Sequence, residues 1–141
     1  MIYRIYLDDI RTPIDKNWIV VRNYTEFVDK IIELGLENID VISLDHDLGD
    51  TSLKEYHDNV APNYILDYSH IYEKTGYDCA KWLVNHFYDN LSSENEKFCF
   101  PQIYIHSFNP VGAANIMGYI NNFLLNENQK QSTRIVDISH T

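Results

Sequence analysis

Three short apolar runs in this chain each stop on ionisable or polar residues, and that repetition constrains the fold more than any other feature. "IYRIYL" (Ile2 to Leu7) runs into Asp8-Asp9. "DVISL" (Asp40 to Leu44) runs into Asp45-His46-Asp47, and "QIYIHS" (Gln102 to Ser107) closes on His106-Ser107. Runs this short and rich in β-branched residues read as buried strands. "WIVV" (Trp18 to Val21) and "RIVDI" (Arg134 to Ile138) read as two more. Helical periodicity fills the intervals. "NYTEFVDKIIELG" puts Phe27, Val28, Ile31, Ile32 and Leu34 on one face, with Asn23 and Glu26 as a capping box and Gly35 as a stop. "TGYDCAKWLVNHFY" repeats the pattern through Cys79, Ala80, Leu83, Val84 and Phe87. "VGAANIMGYINNFLL" predicts Ala114, Met117, Ile120 and Leu124 facing inward.

Strands alternating with helices predict a five-stranded parallel sheet in a three-layer α/β fold. Right-handed crossovers then bring the strand C-termini to one edge, where ligands of such sheets bind. At 141 residues, with no internal repeat or linker, the expectation is a single domain over 1–141. One segment resists assignment. Gly49 to Glu73 has weak periodicity and contains Pro62 and the rings of Tyr56, Tyr64, Tyr68, His70 and Tyr72. It reads as a long insert after the third strand. Its tyrosines could form a lid that stacks on a nucleobase, or could cover one side of the sheet.

The formal charge of −10 argues against a duplex-DNA-binding module, which needs a basic face. It leaves open a nucleotide met through a metal ion. No run approaches the ~18 apolar residues of a membrane helix. Acids interrupt the opening "MIYRIYLDDI", so it does not read as a signal peptide. Cys79 and Cys99 form no metal or redox motif, which fits a cytoplasmic protein with reduced thiols.

A parallel sheet would gather Asp8, Asp9, Asp45 and Asp47 in one crevice. Carboxylates so placed repel unless cations or protons intervene, and oxygen ligands suit Mg²⁺ or Mn²⁺. Single acids at strand ends could equally serve as caps. His46 and His106 lie beside these acids and could share general acid and base work, or could be satisfied structural residues. His57, His70, His86 and His140 lack that setting. In "HSFNPVG", Ser107, Asn109 and the amide of Gly112 could hold a phosphate at a helix N-terminus, or Asn109 and Pro110 could simply start the helix. The same alternatives apply to Thr75-Gly76. Arg11 could clamp a phosphate or pair with Asp8 or Asp9.

Taken in order, "LDDIRTP", "W-I-V-V-R", "SLDHDLG", "TGYD" and "HSFNPVG" resemble the cyclic-phosphate-processing receiver-like family, a divergent relative of response-regulator receivers. The resemblance implies a receiver/flavodoxin-like sheet. It matches Asp8 and Asp9 to a receiver's acidic pair, Asp45 to its phospho-accepting Asp, and Ser107 to its Ser or Thr after strand four. No Lys follows strand five, as a signalling receiver would require. Only Asp8 to Asn17 separate strands one and two, too few for an ordinary helical crossover, so the first helix should be reduced. The activity implied is metal-assisted processing of a cyclic phosphate, on RNA ends or on a nucleotide-derived small molecule. Asp45 could then be a metal ligand or a nucleophile. The contrasting expectation is a non-catalytic module that sequesters a nucleotide signal or docks on a protein partner.

Overall fold

The computed structural model describes residues 2–90, 99–127 and 135–138. β1 (Tyr3–Leu7), β2 (Ile19–Val21), β3 (Ile39–Leu44), β4 (Gln102–Ile105) and β5 (Ile135–Asp137) form one sheet, all parallel, in the order β2-β1-β3-β4-β5. That is the flavodoxin-like winding, whose order reverses between β1 and β3. The register is tight there. Leu7 pairs with Leu44, and Leu44 with Ile105, so the three strands end level and their next residues meet. The amides of Asp45 and His106 carry the ladder one residue further, donating to the carbonyls of Leu7 and Leu44.

α1 (Tyr24–Leu34) follows β2, capped by Asn23 and stopped at Gly35, as its sequence predicts. α4 (Gly76–Asp89) precedes β4, and α5 (Pro110–Glu127) follows it. α4 packs against both α1 and α5. The core lies between them and the sheet: Ile5, Leu7, Ile42, Leu44, Ile103 and Ile105 from the strands, with Phe27, Ile31, Leu83, Phe87, Ile116 and Ile120 from the helices. Two assigned inward residues differ from expectation. Ile32 and Ala114 are exposed, because the buried stripes run through Phe27–Ile31 and through Ala113, Ile116, Ile120 and Phe123.

No helix connects β1 to β2, in line with the short spacing. The cover such a helix would give is missing with it. Arg4, Tyr6, Gln102 and Tyr104, which alternate with the buried strand residues, stay half-buried, and Arg4 lies over the Trp18 ring. The Gly49–Glu73 segment differs more from its reading as a loop. It begins as α2 (Asp50–Glu55), passes through a π-helical turn (Tyr56–Val60) into α3 (Ala61–Asn63), and ends with a 3₁₀ turn at Tyr68–His70. A π turn shifts the side-chain phase, so the apolar residues no longer recur at 3.6. That broke the signal. Glu55, almost fully buried, binds this segment together by accepting from Asn59 Nδ2, His70 Nδ1 and the Asp67 amide. Among the described residues no helix is long and apolar enough to cross a membrane.

Candidate functional site at the strand ends

The chain leaves β1 through an Asx turn: Asp8 Oδ1 accepts from the amides of Ile10 and Arg11 at 2.9 and 2.8 Å. The turn points the Arg11 side chain back over the sheet edge. Its Nε donates to Asp8 Oδ2 at 2.8 Å, and one Nη donates to the His106 carbonyl at 2.8 Å. The same Nη lies 3.6 Å from Asp45 Oδ2. Arg11 therefore pairs with Asp8 and Asp45, whereas the sequence offered Asp8 or Asp9. A second guanidinium, which the sequence reading left without a role, secures this turn. Arg22 donates to the carbonyls of Asp8 and Arg11 and to Thr12 Oγ1.

Asp8, Asp45 and His106 are all buried, and each offers an atom within 4.8 Å of the others. His106 is held from two sides. Its Nδ1 shares a 2.7 Å hydrogen bond with Ser43 Oγ, and its ring stacks on Tyr6 at 4.2 Å. The free nitrogen is the notable one. Nε2 lies 3.2 Å from Asp8 Oδ2, but off the direction a hydrogen bond needs, and it is buried with no hydrogen-bond partner. A buried polar atom without a hydrogen bond costs free energy, which a water, ion or ligand bound there would recover.

The two carboxyls are driven apart. Burial opposes the charge on Asp8 most, but the His106 ring, the two amides and the Arg11 guanidinium outweigh it and hold the group down at about 2. Burial pushes Asp45 the other way, to about 7, and the neighbouring Asp8 charge adds to the rise. Asp9, only partly buried, is raised by burial and then by Asp8, and it stands outside the triplet.

Asp47 and His46 belong to a separate network. His46 is fully buried, and both ring nitrogens are engaged: Nδ1 with Asp47 Oδ1 at 2.6 Å, Nε2 with Tyr68 Oη at 3.0 Å. Asn115 Nδ2 donates to the same Tyr68 oxygen, and Asn109 Nδ2 donates to Asp47. Asn115 thus fills the phenol oxygen as acceptor and leaves the phenol proton for His46 Nε2. In a neutral His46 the ring proton would then sit on Nδ1, facing Asp47. Gly112 sits so close that a Cβ there would lie 2.3 Å from His46 Cγ.

The remaining expected phosphate groups hold helix starts. Asn109 Oδ1 accepts from the Gly112 amide, and Ser107 Oγ accepts from the Asn109 amide. Thr75 caps α4 by accepting from the Tyr77 amide, with Asp78 completing the capping box. The Gly76 amide donates to the His46 carbonyl at 2.8 Å, and a Cβ at Gly76 would fall 1.8 Å from the Asp45 carbonyl oxygen. Tyr68, Tyr72, Lys74, Thr75, Tyr77 and Lys81 line a cavity of about 300 Å³ between the end of the insert and the start of α4. Ser43, Tyr6, Tyr68, Asn115 and Arg22 were not assigned from sequence. Only Tyr68 carried a signal, as one ring in an aromatic-rich segment.

A parallel 2-1-3-4-5 sheet with two acids after β1, one after β3 and a Ser after β4 defines a receiver-like protein. The model of the cyclic-phosphate processing receiver domain matches residues 3–122, and the chain belongs to that family. No curated protein and no solved structure matches it. Membership places the chain in cyclic-phosphate processing, as the resemblance implied.

Proposed function

We propose that this protein is a metal-dependent phosphoesterase that opens a cyclic phosphate on an RNA end or a nucleotide-derived small molecule. One observation carries the reading. Asp8, Asp45 and His106, whose buried Nε2 lies 3.2 Å from Asp8 Oδ2 with no hydrogen bond, converge at the level ends of three strands. These residues fit a divalent ion, with two carboxylate oxygens and one imidazole nitrogen as donors. Two carboxylates suit Mg²⁺ or Mn²⁺, and the imidazole tips the set toward Mn²⁺. Bound there, the ion would polarise a phosphoryl oxygen and lower the pKa of water. Arg11 is the cation nearest both acids, and its side chain is 37% exposed, so it is the group to meet the phosphate. Ser43 fixes the His106 ring with Nε2 toward Asp8. His46 supports the site from behind by fixing Asp47.

The test is a panel of 2′,3′-cyclic nucleotides, RNA with cyclic-phosphate ends, and cyclic dinucleotides, assayed with Mg²⁺, with Mn²⁺ and with chelator. Hydrolysis of one class that chelator abolishes is expected. The second reading, a non-catalytic nucleotide-binding module, is favoured by His46, whose engaged nitrogens leave one histidine where a proton-transfer pair would need two. Stoichiometric binding without turnover in every metal condition would select it.

A further inference from the structure

We infer that Phe108 is a stacking platform for the base of a nucleoside cyclic phosphate. The inference rests on the phosphoesterase reading for the position of the phosphate. The ring is the exposed member of an otherwise buried stretch. Its neighbours Ser107 and Asn109 are buried and tied into the start of α5, yet Phe108 is 68% exposed. One ring face is occupied. The Arg11 guanidinium carbon lies 4.5 Å from the ring centroid, a cation–π contact. The same guanidinium is bonded to Asp8 and to the His106 carbonyl and lies 3.6 Å from Asp45. The ring is therefore one side chain away from the acid cluster.

This arrangement suits a ligand with two features. It needs an anion, which the Arg11 charge attracts: the bonds just named use Nε and one Nη, and none uses the other Nη. It also needs a flat π surface to cover the exposed ring. A cyclic phosphate attached to a ribose and base has both, whereas one attached to a small polyol has only the first. Every base has a π face, so the platform selects for a base without reading which one, and purines should gain most from their larger area.

The experiment compares adenosine 2′,3′-cyclic phosphate with glycerol 1,2-cyclic phosphate. Calorimetric binding is measured in Mg²⁺ and in Mn²⁺ on wild type, Phe108→Ala and Phe108→Trp, and the recovered ligand is checked for ring opening. An exposed ring can be removed without loss of fold, and unchanged melting temperatures verify this. Wild type should bind the adenosine compound roughly tenfold or more tightly than the glycerol one. Phe108→Ala should erase that preference and leave glycerol compound affinity within twofold, and Phe108→Trp should keep it. A dinucleotide ending in the same cyclic phosphate, bound more tightly than the mononucleotide, would assign the platform to RNA ends; weaker binding would assign it to free nucleotides. Equal affinity of the adenosine and glycerol compounds, a preference that survives Phe108→Ala, or no binding of either overturns the platform. An intact preference with no ring opening in any metal overturns the phosphoesterase reading and leaves the platform standing.

Discussion

Two polar networks meet behind the ends of β1, β3 and β4, and they are built on opposite terms. In one, His46, Asp47, Asn109, Tyr68 and Asn115 form a closed chain of hydrogen bonds in which each donor has its acceptor. In the other, Asp8, Asp45, His106 and Arg11 leave a buried nitrogen without a hydrogen bond and hold two carboxyls at widely different proton affinities. A satisfied network rigidifies; an unsatisfied one stores the capacity to bind. The contrast separates histidines that looked equivalent as strand-end residues. His46 has both ring nitrogens engaged, whereas His106 Nε2 carries no hydrogen bond.

The comparison breaks most severely where backbone touches both networks. Gly76→Ala drives a methyl into the Asp45 carbonyl, against backbone that cannot retreat. Overpacking of this kind costs about 1–3 kcal/mol, occasionally more, and here the upper end is expected. Thermal unfolding should show a loss of roughly 10 °C or no soluble protein. A wild-type melting temperature would refute the close approach.

Next comes Asp45→Asn. Asp45 at about 7 stands above the ordinary value of 3.8, so the folded state holds its proton more tightly than the unfolded chain. Its contribution is full below pH 4 and is lost as pH rises through 7. Asp8, lowered to about 2, runs the other way: its contribution is present above pH 4 and lost as pH falls through 2. Metal-free wild type should therefore lose several degrees of melting temperature between pH 4 and 7. Asp45→Asn should flatten that slope, melt higher at pH 8, and show no Mn²⁺-induced stabilisation. Retention of full Mn²⁺ stabilisation in the variant would remove Asp45 from the ligand set.

The two histidines give a smaller, sharper contrast. His106→Ala should weaken Mn²⁺ binding by tenfold or more in calorimetry. His46→Ala should leave it within about threefold while lowering the melting temperature, because Asp47 and Tyr68 lose their shared partner. The reverse result would exchange the roles assigned to the two networks. The smallest effect belongs to Tyr68→Phe. Removing the hydroxyl leaves His46 Nε2 and Asn115 Nδ2 without it, at a cost of about 1–3 kcal/mol. Denaturant unfolding should show this, with Mn²⁺ affinity unchanged. A shift in Mn²⁺ affinity would couple the networks.

Much of this protein was legible in its residues. Apolar period distinguished β1, β3 and β4 from α1, α4 and α5, because a helix repeats its buried face every 3.6 residues and a strand every two. The polar residues closing each strand pointed to the edge where Asp8, Asp45 and His106 meet, since parallel winding leaves no other place for them. The ten-residue link from Asp8 to Asn17 was too short for a crossover helix, and none is there. The helical insert was hidden, because a π turn at Tyr56–Val60 breaks the period that would reveal it.

Which acid serves which network could not be read from spacing. Asp45 and Asp47 are two residues apart in an acidic run, yet one faces Asp8 and the other faces His46 and Asn109. Sequence determined that carboxylates, histidines and an arginine would reach one edge. The tertiary structure decided their partners. Arg11 lies between Asp8 and Asp45, and Tyr68 arrives from an insert that begins after β3 to occupy His46. Hydrogen-bond direction and burial act over a few ångströms, and those distances exist only after residues far apart in the chain have been packed together.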